Sequence, residues 1–203
     1  MGKAFTDDER ARVQEKLRRT GLKLFAEKGI RGVSIRDLTS AAGIAQGGFY
    51  SFYKDKEDFL ADLIELRVRE KLSALRNRRA ESLADPAGFI SGIFYSEGMH
   101  LKENKAFDNM ISGSLSFFYE NRADLHQRVS GAYRKFLIEL EEYWKKNGYQ
   151  VFMDTEGFLN LIRAVGILFS NASLLDDRYF AEIYRCFCEA ETGRFLKVTK
   201  NDA

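Results

Sequence analysis

The chain has 203 residues, 45% hydrophobic and 31% charged, with a single proline. That is enough chain to bury a substantial core, and the balance is that of a soluble globular protein built on helices rather than on a turn-rich β fold. No run of ~18 apolar residues is present for a membrane helix, and the polar stretch Met1 to Arg10 lacks the apolar segment of a secretory leader, so a cytoplasmic protein with no membrane partner is expected.

Thr6 followed by Glu9 forms a capping box, and Asp7 and Asp8 suit a helix start. Val13, Leu17, Leu24 and Phe25 then share one helical stripe, and Gly29 can end it, which predicts a helix over 7–28. Ser34 caps a second helix over 35–42, stopped at Gly43, and a short third helix follows over about 46–52. Two short helices across a tight glycine turn make a helix-turn-helix pattern. Lys54 to Glu57 break that unit and start a fourth helix, running to about Ala84. Asp85 and Pro86 open a fifth over 86–103, and further helices are read at 105–119, 122–147, 155–174 and 177–198. No strand alternation and no internal repeat are found.

Charge divides along the same line. Residues 1–55 carry 11 Lys+Arg against 7 Asp+Glu, and the remainder 21 against 23. The basic excess suits a nucleic-acid-facing head on a neutral body. The two cysteines, Cys186 and Cys188, point about 200° apart on a helix and read as reduced thiols rather than as a disulfide or a metal site.

Residues 34–60 read SIRDLTSAAGIAQGGFYSFYKDKEDFL. Leu38, Ile35 and Ile44 can fill a small core, Ala41 and Ala42 allow close helix approach, and Phe49 and Phe52 can pack the third helix inward. Gln46, Gly47, Gly48, Tyr50 and Ser51 are left facing outward, on the face that enters a major groove in a helix-turn-helix. Gln46 can pair with adenine. Lys54 and Lys56 would neutralise phosphates, with Lys56 beside a helix N-terminus. This segment, with its Ala-Ala-Gly turn, aromatic pair after Gly-Gly and Lys-x-Lys-Glu helix start, resembles the DNA-binding head of TetR-family regulators. Ala45 departs from the pattern, standing where Ser or Thr commonly caps the recognition helix, and Gly48 replaces a hydroxyl residue.

The resemblance implies an all-α fold: an N-terminal three-helix helix-turn-helix head over 1–55, and a C-terminal helical ligand-binding and dimerisation bundle over 56–203. It implies DNA contacts by Ser34 and Arg36 and a phosphate contact by the Tyr50 hydroxyl. It implies an effector cavity, for which Phe94, Met99, Asn109, Met110, Phe117, Phe118, Phe136, Phe158 and Arg163 are the candidates. It also implies a two-fold seam on the last two helices, with Ile162, Val165, Gly166, Phe169, Tyr184 and Phe187 as its centre. The expected partners are double-stranded DNA with a palindromic operator, a second copy of the chain, and a small hydrophobic or aromatic effector. The function so implied is that of a repressor released from its operator by that effector. No cofactor, catalytic residue or metal is assigned. Glu97 and His100 have the spacing of a di-iron ligand pair, but His126 has Ala123, not a carboxylate, three residues before it. A DNA-anchored adaptor that recruits a protein is the alternative. The basic run Arg67, Arg69, Lys71, Arg76, Arg78 and Arg79 reads as a solvated face.

Overall fold

Helix α1, Asp7–Lys28, starts on the expected capping box. The Glu9 N–H donates to the Thr6 hydroxyl at 3.2 Å, and the Thr6 N–H donates to the Glu9 carboxylate at 2.9 Å. A second box opens α2, Ile35–Ala42, with Asp37 and Ser34 in the same roles. Gly43 turns the chain at φ 66, in the left-handed region that favours glycine. Helix α3 spans only Gln46–Phe49, shorter than the predicted 46–52. Ala45 makes no side-chain cap bond, and two glycines lower the helix propensity. The chain leaves α3 through turns closed by Ser51 on Gly48 and Phe52 on Phe49. Helix α4, Lys56–Asn77, then begins, with the Asp58 N–H on the Asp55 carboxylate at 2.7 Å.

The computed structural model describes residues 6–103, 122–170 and 176–201, and side chains for most of these. The helix expected over 105–119 lies outside that set. The chain divides into two compact units, and the division falls inside α4, between Leu66 and Arg67. The boundary expected from the sequence, at residue 56, assigns all of α4 to the body. Its first turns belong with the head because Phe59, Leu60 and Leu63 are buried there with Leu17, Phe25, Leu38 and Phe49. The Phe59 ring lies 4.8 Å from Tyr53, 5.8 Å from Phe49 and 5.9 Å from Phe25, centroid to centroid. It is the hub of the head core, worth about 2 kcal/mol or more in burial.

In the body, α4 ends at Asn77 and a 3-10 turn, Arg79–Leu83, follows. The helix predicted to reach Ala84 stops early, and the turn carries the Ser82 hydroxyl to the buried Trp144 indole, which donates to it at 2.7 Å. Then come α5, Pro86–Glu103; α6, Ala123–Lys146; α7, Thr155–Ser170; and α8, Asp177–Phe195. Their shared core holds Leu72, Ile90, Phe136, Leu140, Trp144, Phe158, Leu161, Phe180, Tyr184 and Cys188. Cys186 is exposed and Cys188 buried, each reduced.

Two strands correct the expectation of none. Strand β1, Tyr149–Met153, pairs antiparallel with β2, Leu196–Lys200, Val151 opposite Val198. The last helix therefore ends at Phe195 and not near 198. Tyr149 and Leu196 are buried while Gln150, Phe152, Lys197 and Thr199 face solvent. Five-residue alternation of this kind is too short to stand out beside long amphipathic helices.

The basic run is more engaged than a solvated face. Arg76 holds Glu139 at 2.7 Å and lies over Phe136, Arg79 lies over Tyr143, Lys71 lies over Tyr133, and Arg67 and Arg78 pair with Glu70 and Glu81. Lys71, Arg76 and Arg79 clamp the end of α4 and the turn after it onto α6, with their aliphatic stems as well as their charge, while Arg67 and Arg78 pair locally.

Candidate functional site

The head presents α3 on a fixed footing. Phe49 is fully buried, with Ile44 half-buried. Tyr53 is 4% exposed, and its hydroxyl donates to the Asp62 carboxylate at 2.7 Å. The same carboxylate receives Arg18 through two parallel bonds, Nε at 2.7 Å and Nη2 at 2.6 Å. One carboxylate thus joins α1, the turn after α3, and α4. Burial first, then the bond to Asp62, pushes the Tyr53 phenol up, and the bond to Asp62 raises Arg18 despite its partial burial. On the other side, Arg10 donates to the Ser51 carbonyl at 2.6 Å and stacks over the Phe52 ring at 4.7 Å. Sequence reasoning missed all four of these positioning residues: Arg10, Arg18, Tyr53 and Asp62. A tyrosine hydroxyl closing an aromatic run was the available signal for Tyr53, since a buried phenol requires a partner.

With that footing set, Gln46, Gly47, Tyr50, Ser51, Lys54, Ser34 and Arg36 are exposed, and Gly48 is half-buried. Tyr50 is 56% exposed and stands edge-on to Phe49 at 5.7 Å. Gly47 has nothing within 4 Å of the space a Cβ would take. The Ser34 hydroxyl is tied into the α2 capping box. Lys56 is half-buried, and its ammonium donates to the Ile30 carbonyl at 2.9 Å and the Val33 carbonyl at 3.1 Å, bracing the α1–α2 loop. An ammonium has a third donor. The N-terminus of α4 is already answered by the Asp55 carboxylate.

In the body, Phe94 stacks on Phe158 at 6.1 Å with the rings 4° from parallel, and Phe136 is buried beneath Arg76. Met99 is half-buried against the same core, and Arg163 is half-buried on α7. Asn109, Met110, Phe117 and Phe118 lie outside the described residues, as do the side chains of Glu97 and His100. Of the seam candidates, Ile162 and Phe187 are half-buried and Val165 is 9% exposed; Gly166 and Phe169 lie on α7, with their burial outside the described set. Tyr184 is corrected to core. It is fully buried, stacked between Phe180 and Phe187, and its hydroxyl donates to the Phe94 carbonyl at 2.7 Å. Among the described residues of α8, the exposed large apolar side chains are Tyr179 and Ile183, each 56% exposed and one turn apart. No group of three or more metal-ligating side chains occurs among the described residues, and no helix there is long and apolar enough to cross a membrane.

Residues 17–63 match the family described as bacterial regulatory proteins, tetR family. A HTH-type transcriptional repressor, KstR2 of Rhodococcus jostii, is 33% identical over 111 residues, 46% of this chain and 54% of that protein. The regulator YerO of Bacillus subtilis is 29% identical over 73 residues, 36% of this chain and 25% of that one. The chain thus aligns with only a quarter to about half of the length of these relatives. Among solved structures, RolR in complex with resorcinol has a TM-score of 0.66 at 20% identity, covering 91% of this chain and 89% of that one. That likeness shows a shared fold. Over residues 17–63 the head matches the tetR family of bacterial regulatory proteins, and the chain as a whole shares the all-helical fold of that solved structure.

Proposed function

We propose that this regulator binds operator DNA in a sequence-specific manner as a homodimer in the cytoplasm, represses transcription, and is released by a small hydrophobic or aromatic effector held in the body. The observation that carries the reading is the face of α3. Phe49 fastens the helix from below, while Gln46, Gly47, Tyr50 and Ser51 are exposed together with Lys54 and Arg36. A helix so presented fits a major groove, Gln46 supplies a base-edge pair, and Tyr50, Lys54 and the third N–H of Lys56 supply phosphate contacts. Dimerisation is supported by the exposed pair Tyr179 and Ile183 on α8, which fits a helix-on-helix seam across a two-fold axis. The dense aromatic packing of the body, with Phe94, Phe136, Phe158 and Met99, suits an apolar effector, as in RolR with its resorcinol.

The test is binding of the purified full chain to its own upstream DNA by fluorescence anisotropy at several salt concentrations. Affinity is expected to fall steeply with salt. Tyr50→Phe should weaken every sequence alike, whereas Gln46→Ala should relax preference at one base pair per half-site. Absence of binding at low salt overturns the reading. Ile183→Asp should dissociate the dimer in sedimentation and lower operator affinity, and an unchanged dimer would move the seam elsewhere.

A further inference from the structure

Arg163 has a buried donor, Nε, that meets no acceptor among the described residues. It lies on α7 in the apolar stretch FLNLIRAVGILFS. Asn160 fixes one side of it: the Asn160 amide donates to the Glu156 carbonyl at 3.0 Å, and its Oδ1 accepts from Arg163 Nη1 at 3.1 Å. Arg163 Nε, however, is shut off from solvent and meets no acceptor. The acid nearest in sequence, Glu156, is held by Arg134. Arg18 shows what such a donor is shaped for, because there Nε and Nη2 grip the two oxygens of Asp62. Side-on donation from Nε and Nη2 is the bidentate geometry of a guanidinium on a carboxylate. Glu156 also feels the Arg163 charge, but its carboxylate is taken up by Arg134. His126 on α6 is pushed below its ordinary value by burial first and by the Arg163 charge second. A single guanidinium balances a monoanion.

We propose that the Nε–Nη2 edge of Arg163 anchors the carboxylate of a small-molecule effector, an organic acid with an apolar remainder. The inference rests on the reading that the body takes an effector, and it names that effector's chemical class.

The experiment is a thermal-shift titration of the full chain with phenylacetate, 4-phenylbutyrate and octanoate, each against its primary amide. At least one acid should raise the melting temperature while its amide does not. Arg163→Gln should weaken the apparent Kd for that acid about tenfold or more. Arg163→Lys, which keeps the charge but not the fork, should lose most of the response too. Equal shifts by acid and amide, no shift with any acid, or a full response in Arg163→Gln would each overturn the proposal. So would a loss of the dimer in Arg163→Gln, which would give Nε to a carboxylate of a second copy. Binding of operator DNA without probe, measured on the same preparation, separates the two readings. DNA binding without an acid response sinks the carboxylate site and leaves the regulator standing, and no DNA binding sinks the regulator.

Discussion

Replacing Gly47 by alanine should strengthen the free protein and weaken its grip on DNA. Gly47 lies inside α3, and among the described residues those with positive φ are Gly29, Gly43 and Gly148, so its backbone is one that alanine adopts freely. A Cβ there would meet nothing within 4 Å. Neither conformation nor packing in the free head requires glycine. Alanine should therefore stabilise the helix by about 0.5–1 kcal/mol. At the DNA surface the sign reverses. If α3 lies in the groove at backbone distance, an added methyl forces a retreat costing about 1–3 kcal/mol, or roughly five- to 150-fold in Kd. Native-state hydrogen exchange of the amides from Gly47 to Tyr53 reads the first effect, and operator anisotropy reads the second. Gly131→Ala is the control: it sits exposed on α6 with the same empty surroundings and should stabilise α6 with no change in DNA affinity. Operator affinity unchanged in Gly47→Ala would refute close approach at α3, and faster exchange would refute the claim that the free head does not need glycine.

The shared carboxylate of Asp62 makes a second expectation. Asp62→Asn keeps the shape but removes the charge that Arg18 grips, and should destabilise the head by about 2–4 kcal/mol, moderated because both side chains are about one-fifth exposed; Tyr53→Phe should cost about 1 kcal/mol. Chemical denaturation followed by head-specific NMR signals checks both, and an unchanged midpoint in Asp62→Asn would remove the lock from the account. Glu9 and Asp37 give a pH dependence. The bonds from the Thr6 backbone hold Glu9, and the Ser34 hydroxyl bond holds Asp37, below the usual carboxylate range. Lowered values in the folded state mean that this stabilisation is complete above the unfolded carboxylate values near 4 and is lost as pH falls through the folded ones. Protection factors at Ile35 to Leu38, corrected for the intrinsic pH dependence of exchange, should fall on acidification, and Asp37→Asn should flatten that dependence; a steep response persisting in the variant would assign it to other groups.

The helical punctuation of the head was written locally, and so it was legible. Thr6 and Glu9, Ser34 and Asp37, and the stop at Gly43 fall where short-range chemistry places them. What escaped depended on partners far along the chain. Arg18 and Asp62 are 44 residues apart, and Trp144 and Ser82 are 62 apart; no local pattern announces either pair. The strands escaped because β1 and β2 each hold only five residues and stabilise one another across the body. Tyr184 looked like seam material because an aromatic in the last helix reads alike whether it faces core or partner, and only packing against Phe94, Phe180 and Phe187 decides. The exposed face of α3 could be read from period alone once Phe49 was taken as the anchor.

Lys56 carries a consequence for how the head tolerates change. Its ammonium is a strut between the Ile30 and Val33 carbonyls, with one proton left for an outside acceptor. An ammonium is tetrahedral, so it can brace a loop below and meet an anion above at once. A guanidinium spreads its protons in a plane and would surrender one duty to keep the other. Lysine and arginine are thus unequal at this position, and a phosphate drawn to Lys56 would press on the loop between α1 and α2. The contact that counts the charge of the backbone also keeps the head's shape true.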